Sequence, residues 1–368
     1  MYKYLLSIIL IFSFISCKND KKTITPAIGN KMYSLKKGEV FNMVFTKNIP
    51  VFNIGYPINF NSDKYSFSYP GPNESYLYSY VFDKKQWEYK ILPYEGQNGI
   101  IKNGFIKLFE NDTLLYFPYG ADIILVINYN TSKIIHKFDF VEGYTLPFPK
   151  RYNCGLYNNS IYFPTHPFIN SVKDFNKFGK YKLMTNINLI TGEKKQIIKV
   201  PGDFYDYHSK NIFDMSPEFV FPNDSTIVFI MRKSPNLYVY DIKTDKTKAY
   251  YYPDEHIKYT HEDVRLAGDN IDYMWSKGFY RHLYYDNKNK IYYRISVHVP
   301  AHNADGSANV PVSVTAFDDK FNLLAEEDFE GLIPTYSFVN NKGLYILKKG
   351  RKENQKSFQH IILEKNTE

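Results

Sequence analysis

"NDSTIVFI", residues 223–230, and "YVYDIKTDKTKAYYY", residues 238–252, carry the reading of the fold. The first is a polar turn that passes directly into an alternating apolar strand. The second is strand, polar turn and strand again, with Tyr at alternate positions. Asn and Asp tolerate the left-handed backbone that tight hairpins need, and Tyr, Val and Ile suit a pleated, half-buried surface. Two hairpins in succession make four short antiparallel strands.

The pattern recurs along the whole chain. First hairpins turn at "NSDKYSFSY" (from 61), "NDTLLYF" (111), "NNSIYFP" (158), "NKIYYRI" (289) and "NKGLYIL" (341). Second hairpins follow in "YVFDKKQWEYKI", "LVINYNTSKIIHKF", "NINLITGEKKQIIKV" and "VTAFDDKFNLLAEEDF". Units recur about every 45 to 75 residues, close to the length of a propeller blade. Six first hairpins therefore predict an all-β chain folded as a six-bladed β-propeller of four-stranded blades. The competing architecture is a large β-sandwich or two stacked β-domains.

The last blade supplies three strands of its own, at 335–340, 342–348 and 358–364. "GEVFNMVF", residues 38–45, is the spare apolar segment that can provide the fourth. Such an N-terminal strand closes the ring and removes its open edge. Helix is expected only in "THEDVRLAG", 260–268, where Thr260 can cap and Gly268 can end a short segment.

The amino terminus points to export. "MYKYLLSIILIFSFISCKND" has an early Lys, an apolar run from Leu5 to Ile15, then Ser16-Cys17. The run is too short to span a bilayer comfortably and suits a signal-peptide core. Ser16-Cys17 resembles a bacterial lipobox, in which Cys17 becomes the lipidated residue. The expected organisation is a lipoprotein signal peptide at 1–16, lipidated Cys17 and a flexible tether through 30, and one propeller domain at 31–368. An ordinary signal peptide or an uncleaved anchor is the alternative. "KNDKK" after Cys17 has three Lys to one Asp, so an outer-membrane lipoprotein on the periplasmic side is expected rather than one on the cell surface.

The chain has two cysteines. With Cys17 acylated, Cys154 has no intramolecular partner, so the fold does without disulfides. Cys154 reads as a small buried side chain. The formal charge is +8, but the Lys residues are scattered, which argues against a nucleic-acid partner. A monomer is expected.

Propeller geometry sorts the loops. Turns within the first and second hairpins are short and share one face. Second-to-third strand loops and blade-to-blade connections leave from the other face, and these are long: 164–181, 200–217, 253–278 and 298–310. His166, His208, His256, His261, His298 and His302 fall there, with His282 nearby. This face, with His166, His208, Arg265, Trp275, His298 and His302, is the expected ligand-binding face. His298 and His302 are four apart, but Pro300 intervenes and no helix aligns the two imidazoles. No metal site and no cofactor are expected.

"PYEGQNGIIKNGFIKLFENDTLLYFPYGADIILVIN", "NLYVYDIKT" and "FYRHLYYDNKNKIYYRIS", behind a Ser-Cys lipobox, resemble one family of Bacteroidetes lipoproteins, the domain of unknown function 4221. The matching positions are Glu95, Gly96, Asn98 and Gly99, then Tyr238 to Asp241, then Tyr292, Tyr293 and Arg294. Gln97 stands where the family pattern has Pro. The resemblance covers nearly the whole mature chain. It implies a propeller-like fold in the cell envelope and no defined activity.

Two functional classes follow. The first is a lipid-anchored envelope propeller acting as a non-catalytic binding or scaffold module. It would present its long-loop face to a peptide, glycan or envelope partner, with Trp87 and Trp275 as flat contact surfaces. The second is a propeller lyase or hydrolase with a His/Arg site at the channel mouth, for which His261, Arg281, His282 and Arg294 are the available groups. Arg294 on an inner strand is expected to pair or to face the channel. The chain contains no G-x-S-x-G, Walker loop, H-E-x-x-H or dinucleotide glycine fingerprint.

Overall fold

A computed structural model describes residues 23–24, 32–45, 49, 58–60, 64–70, 73–94, 99–100, 104–109, 112–118, 121–145, 154–167, 179–203, 217–258, 278–302, 308–350 and 354–366. The predicted helix at 260–268 lies outside these residues. Six antiparallel sheets follow one another along the chain and form a six-bladed propeller. Their inner strands are Ile58–Phe60, Gly104–Leu108, Gly155–Tyr157, Glu218–Val220, Phe279–Asp286 and Leu332–Asn340. Blades are numbered 1 to 6 in that order.

Local turn chemistry explains the regularity. Asn128 Oδ1 accepts from Thr131 N (2.9 Å), Asn188 Oδ1 from Thr191 N (3.0 Å) and Asp241 Oδ1 from Thr244 N (2.8 Å). Four residues beyond each capping side chain the backbone turns left-handed, at Ser132 (φ 58°), Gly192 (φ 71°) and Asp245 (φ 53°). Asp286 does the same for the first hairpin of blade 5, accepting from Lys288 N and Asn289 N before Lys290 turns at φ 58°. Short polar side chains thus satisfy the turn amides that the ladders leave over.

Between the turns, aromatic and branched residues fill the seams between blades. Each of the six neighbouring pairs shares a buried apolar cluster. The seam between blades 4 and 5 holds Ile230, Leu237, Tyr252, Ile257, Tyr280, Leu283 and Phe317. Since blade 6 also packs on blade 1, the sheets close on themselves.

Closure uses the N-terminal strand. Tyr33–Val44 is the outer strand of blade 6, antiparallel to Gln355–Lys365, with Phe41 opposite Phe358. Met43 and Phe45 then enter the seam with blade 1. Trp87 sits in that seam too, against Phe45, Tyr65, Phe67 and Tyr80. The part of the Trp87 ring that is buried wedges the two blades together.

One feature of the segment read as a tether differs from a free chain. Thr23–Ile24 pairs in parallel with Ala249–Tyr250 on the outer edge of blade 4. Unpaired N–H and C=O groups on an outer strand attract any extended segment nearby. Thr23 and Ile24, within the segment expected to be a tether, are thus held at a blade edge.

Candidate functional site

The upper face is the one from which second-to-third strand loops and blade-to-blade connections emerge. Three strand ends meet there over the seam between blades 4 and 5. They belong to Lys246–Tyr251 of blade 4 and to Ile291–Val297 and Leu323–Phe329 of blade 5. Past the first, Tyr252 and Ile257 are buried in the seam and pin the chain at both ends of a turn. Asp254 N donates to Tyr280 Oη (3.1 Å), Asp254 Oδ1 accepts from His256 N (2.9 Å), and Asp254 O accepts from Ile257 N (3.2 Å). Past the second, His298 N donates to Pro311 O (3.1 Å), so its ring stays at the strand end.

These constraints bring His256 and His298 face to face, with ring centroids 3.9 Å apart and planes 25° apart. Asp328 faces both rings: His256 Nε2 lies 3.1 Å from Oδ2, and His298 Nε2 lies 3.7 Å from Oδ1. Ser313 Oγ donates to Asp328 Oδ1 (2.6 Å) and is hydrogen-bonded to His298 Nε2. Because the single Ser313 proton goes to the carboxylate, His298 Nε2–H must be the donor to Ser313 Oγ. In a neutral ring this leaves the His298 lone pair on Nδ1, while His256 Nε2 faces the Asp328 carboxylate.

Burial first, and His256 second, hold His298 below the usual imidazole range, against the pull of Asp254 and Asp328. His298 is therefore neutral at physiological pH. Asp254 is buried beneath the pair, and one ligand atom from each of Asp254, His256 and His298 lies within 4.8 Å of the other two. Exposure rises outward, from His298 (7%) to His256 (38%) and Asp328 (51%), so the cluster opens to solvent on one side. Serine, histidine and aspartate meet here without forming a nucleophilic triad. Ser313 is buried in a strand and gives its proton to Asp328, whereas a nucleophilic serine gives its proton to histidine.

The residues singled out in the sequence are distributed differently. His166 is half-buried on the upper face, in a two-residue pairing with Thr145. His302 pairs with Ala308 in a small ribbon beyond His298, and its backbone alone is described. Cys17, His208, His261, Arg265 and Trp275 lie outside the described residues. His282 is buried, with Nδ1 3.8 Å from Glu218 Oε1 on the neighbouring inner strand. The Arg281 guanidinium lies 5.8 Å from the Phe279 ring.

Arg294 requires a correction. It is on the second strand of blade 5, opposite Leu283 and Thr315, and is fully buried in the blade 4–blade 5 seam. Its guanidinium stacks 4.2 Å over Tyr280 and 5.4 Å from Phe317, and Nη1 donates to Pro235 O (3.3 Å). Nε and Nη2 make no hydrogen bond among the described residues. Among the described residues the side chain pairs with no carboxylate, and it lies in the seam with Tyr280 and Phe317. A planar, weakly hydrated cation lies flat on aromatic rings more readily than an ammonium does.

Cys154 is buried in the blade 2–blade 3 seam, as its position suggested. Burial pushes its thiol up to about 12, with Lys107 pulling the other way.

The fold and its upper cluster define a six-bladed propeller with a polar, histidine-bearing site at one blade seam. The family model of the domain of unknown function DUF4221 matches residues 50–328, and the chain belongs to that family. It is similar to the crystal structure of a DUF4221 member from Bacteroides vulgatus, with a TM-score of 0.72 and 15% identity over 91% of this chain and 99% of that one. It is also similar to a candidate exported protein from Bacteroides fragilis, with a TM-score of 0.55 and 8% identity over 94% of this chain and 98% of that one. At such identities the likeness concerns the fold. No curated protein matches the chain.

Proposed function

We propose that this chain is a lipid-anchored cell-envelope propeller acting as a non-catalytic binding or scaffold module, with its upper face presented to a peptide, glycan or envelope protein. The observation that carries this reading is the contrast between the two sets of polar groups. Asp254, His256, His298 and Asp328 converge on the upper face with a solvent-open side. Arg294, which a channel-mouth enzyme would need in contact with substrate, is instead sealed in a seam. The anchor rests on the apolar run ending at Ser16-Cys17, and the exported relative is consistent with it. The three Lys after Cys17 favour the periplasmic leaflet of the outer membrane.

Metabolic labelling with a palmitate analogue tests the anchor. Wild type should label and Cys17→Ala should not, with the variant moving from the membrane to the soluble envelope fraction. Equal labelling of both would remove the lipoprotein reading.

A further inference from the structure

We propose that Asp254, His256 and His298 form a binding site for one divalent transition-metal ion, with Asp328 and Ser313 holding the two imidazoles in place. The proposal stands independently of the anchor and of any partner.

Three features of the cluster favour a metal over a plain polar network. First, the donor set is two imidazoles and one carboxylate, which suits zinc, nickel, copper, cobalt or iron(II) rather than calcium or magnesium. Second, the outer contacts already resemble those that metal-ligating histidines use: His298 Nε2 is hydrogen-bonded to Ser313 Oγ, which itself donates to Asp328 at 2.6 Å, and the Asp328 carboxylate lies 3.1 Å from His256 Nε2. The second nitrogen of a neutral His298 is thereby left with its lone pair. Third, two separate strand ends and a blade-to-blade turn bring Asp254, His256 and His298 together at a point that is buried on one side and open to solvent on the other.

The distances also say what must move. Ligands about 2.0–2.1 Å from a tetrahedral ion are about 3.4 Å from one another. One ligand atom from each of the three residues lies within 4.8 Å of the other two, so the site tightens by roughly an ångström on binding. His298 and Asp254 are buried, and His256, at 38% exposure, is the ring with room to swing. Three protein ligands leave a fourth position on the open side, beside Asp328. An oxygen or nitrogen donor from water or from a bound peptide or glycan would occupy it.

The test uses the full chain purified without a histidine tag and titrated with Zn²⁺, Co²⁺ and Mg²⁺ separately. Calorimetry should give one Zn²⁺ per chain, and Co²⁺ should produce visible d–d absorption of a four- or five-coordinate site. Mg²⁺ should not bind. His256→Ala, at the half-exposed ligand, should weaken Zn²⁺ at least 100-fold while the melting temperature of the metal-free protein changes little. Asp328→Asn should weaken it by about 10- to 100-fold, as loss of an outer carboxylate does. His166→Ala should leave it unchanged. His298→Ala should abolish binding; if that buried change unfolds the chain, His256→Ala and Asp328→Asn still decide. Absence of stoichiometric Zn²⁺ binding, or binding that survives His256→Ala, overturns the proposal.

Discussion

Trp87 Nε1 donates to Val44 O at 2.8 Å, tying the outer strand of blade 1 to the N-terminal strand that completes blade 6. The ring is therefore held shut from both sides, by the ladder between Tyr33–Val44 and Gln355–Lys365 and by this bond across the seam. Deleting 18–46 should expose a ladder edge on blade 6 and strip Met43 and Phe45 from the seam, giving aggregation. Among the described residues, deleting 18–30 removes only the two-residue pairing with blade 4, and it should shift the melting temperature little. Size-exclusion chromatography separates the outcomes, and a monomeric 18–46 deletion of unchanged stability would contradict closure.

Trp87→Ala removes that bond and a ring in contact with four aromatic neighbours. It should cost about 3 kcal/mol, near the lower end for large aromatic truncations because the ring is only partly buried. Urea unfolding measures it. A loss below about 0.5 kcal/mol, the ordinary range of surface substitutions, would mean the ring does not wedge the seam.

Arg294→Met should leave stability nearly unchanged or raise it, since a buried guanidinium with one hydrogen bond and no carboxylate among the described residues retains much of its desolvation cost. Arg294→Lys should be worse than Met, because an ammonium cannot lie flat on Tyr280. Thermal unfolding of the two variants ranks them, and a Met variant much less stable than the Lys variant would show that the charge is needed.

Cys154 should resist thiol reagents in the folded chain. With the thiol pushed up to about 12, only about one part in ten thousand is thiolate at pH 8, and the sulfur is buried as well. In Cys17→Ser protein, Ellman's reagent should find no reactive thiol natively and one in guanidinium. Modification of native protein within minutes would contradict the packing of the blade 2–blade 3 seam.

The fold was legible because its signals are local. Asn128, Asn188, Asp241 and Asp286 each cap the turn they start, so a turn-residue pattern reported the hairpins directly, and counting strands exposed the gap that residues 38–45 fill. The site was not legible for the opposite reason. Asp254 and His256 come from a blade-to-blade connection, His298 from the end of a second strand, and Ser313 and Asp328 from the third and fourth. Only the register of Ser313 opposite Asp328 and the pinning of Tyr252 and Ile257 bring them together. In the sequence, His298 stands four residues from His302 with Pro300 between them, and nothing local points to His256 or Asp254 as its neighbours. For Arg294, strand alternation says that a side chain points to one side of a blade, not that the side is a seam lined with Tyr280 and Phe317.

The central claim is that this propeller binds its partner through the upper face. Fluorescently labelled full chain, in detergent, can be screened on glycan and peptide arrays, and each hit retested with two charge-altering variants. Glu255→Arg changes a highly exposed residue beside His256 on the upper face, and Ile190→Arg changes an exposed residue in a short turn on the opposite face. The account predicts that Glu255→Arg abolishes or strongly weakens the hit while Ile190→Arg leaves it intact. Binding that survives Glu255→Arg and is lost in Ile190→Arg would contradict it.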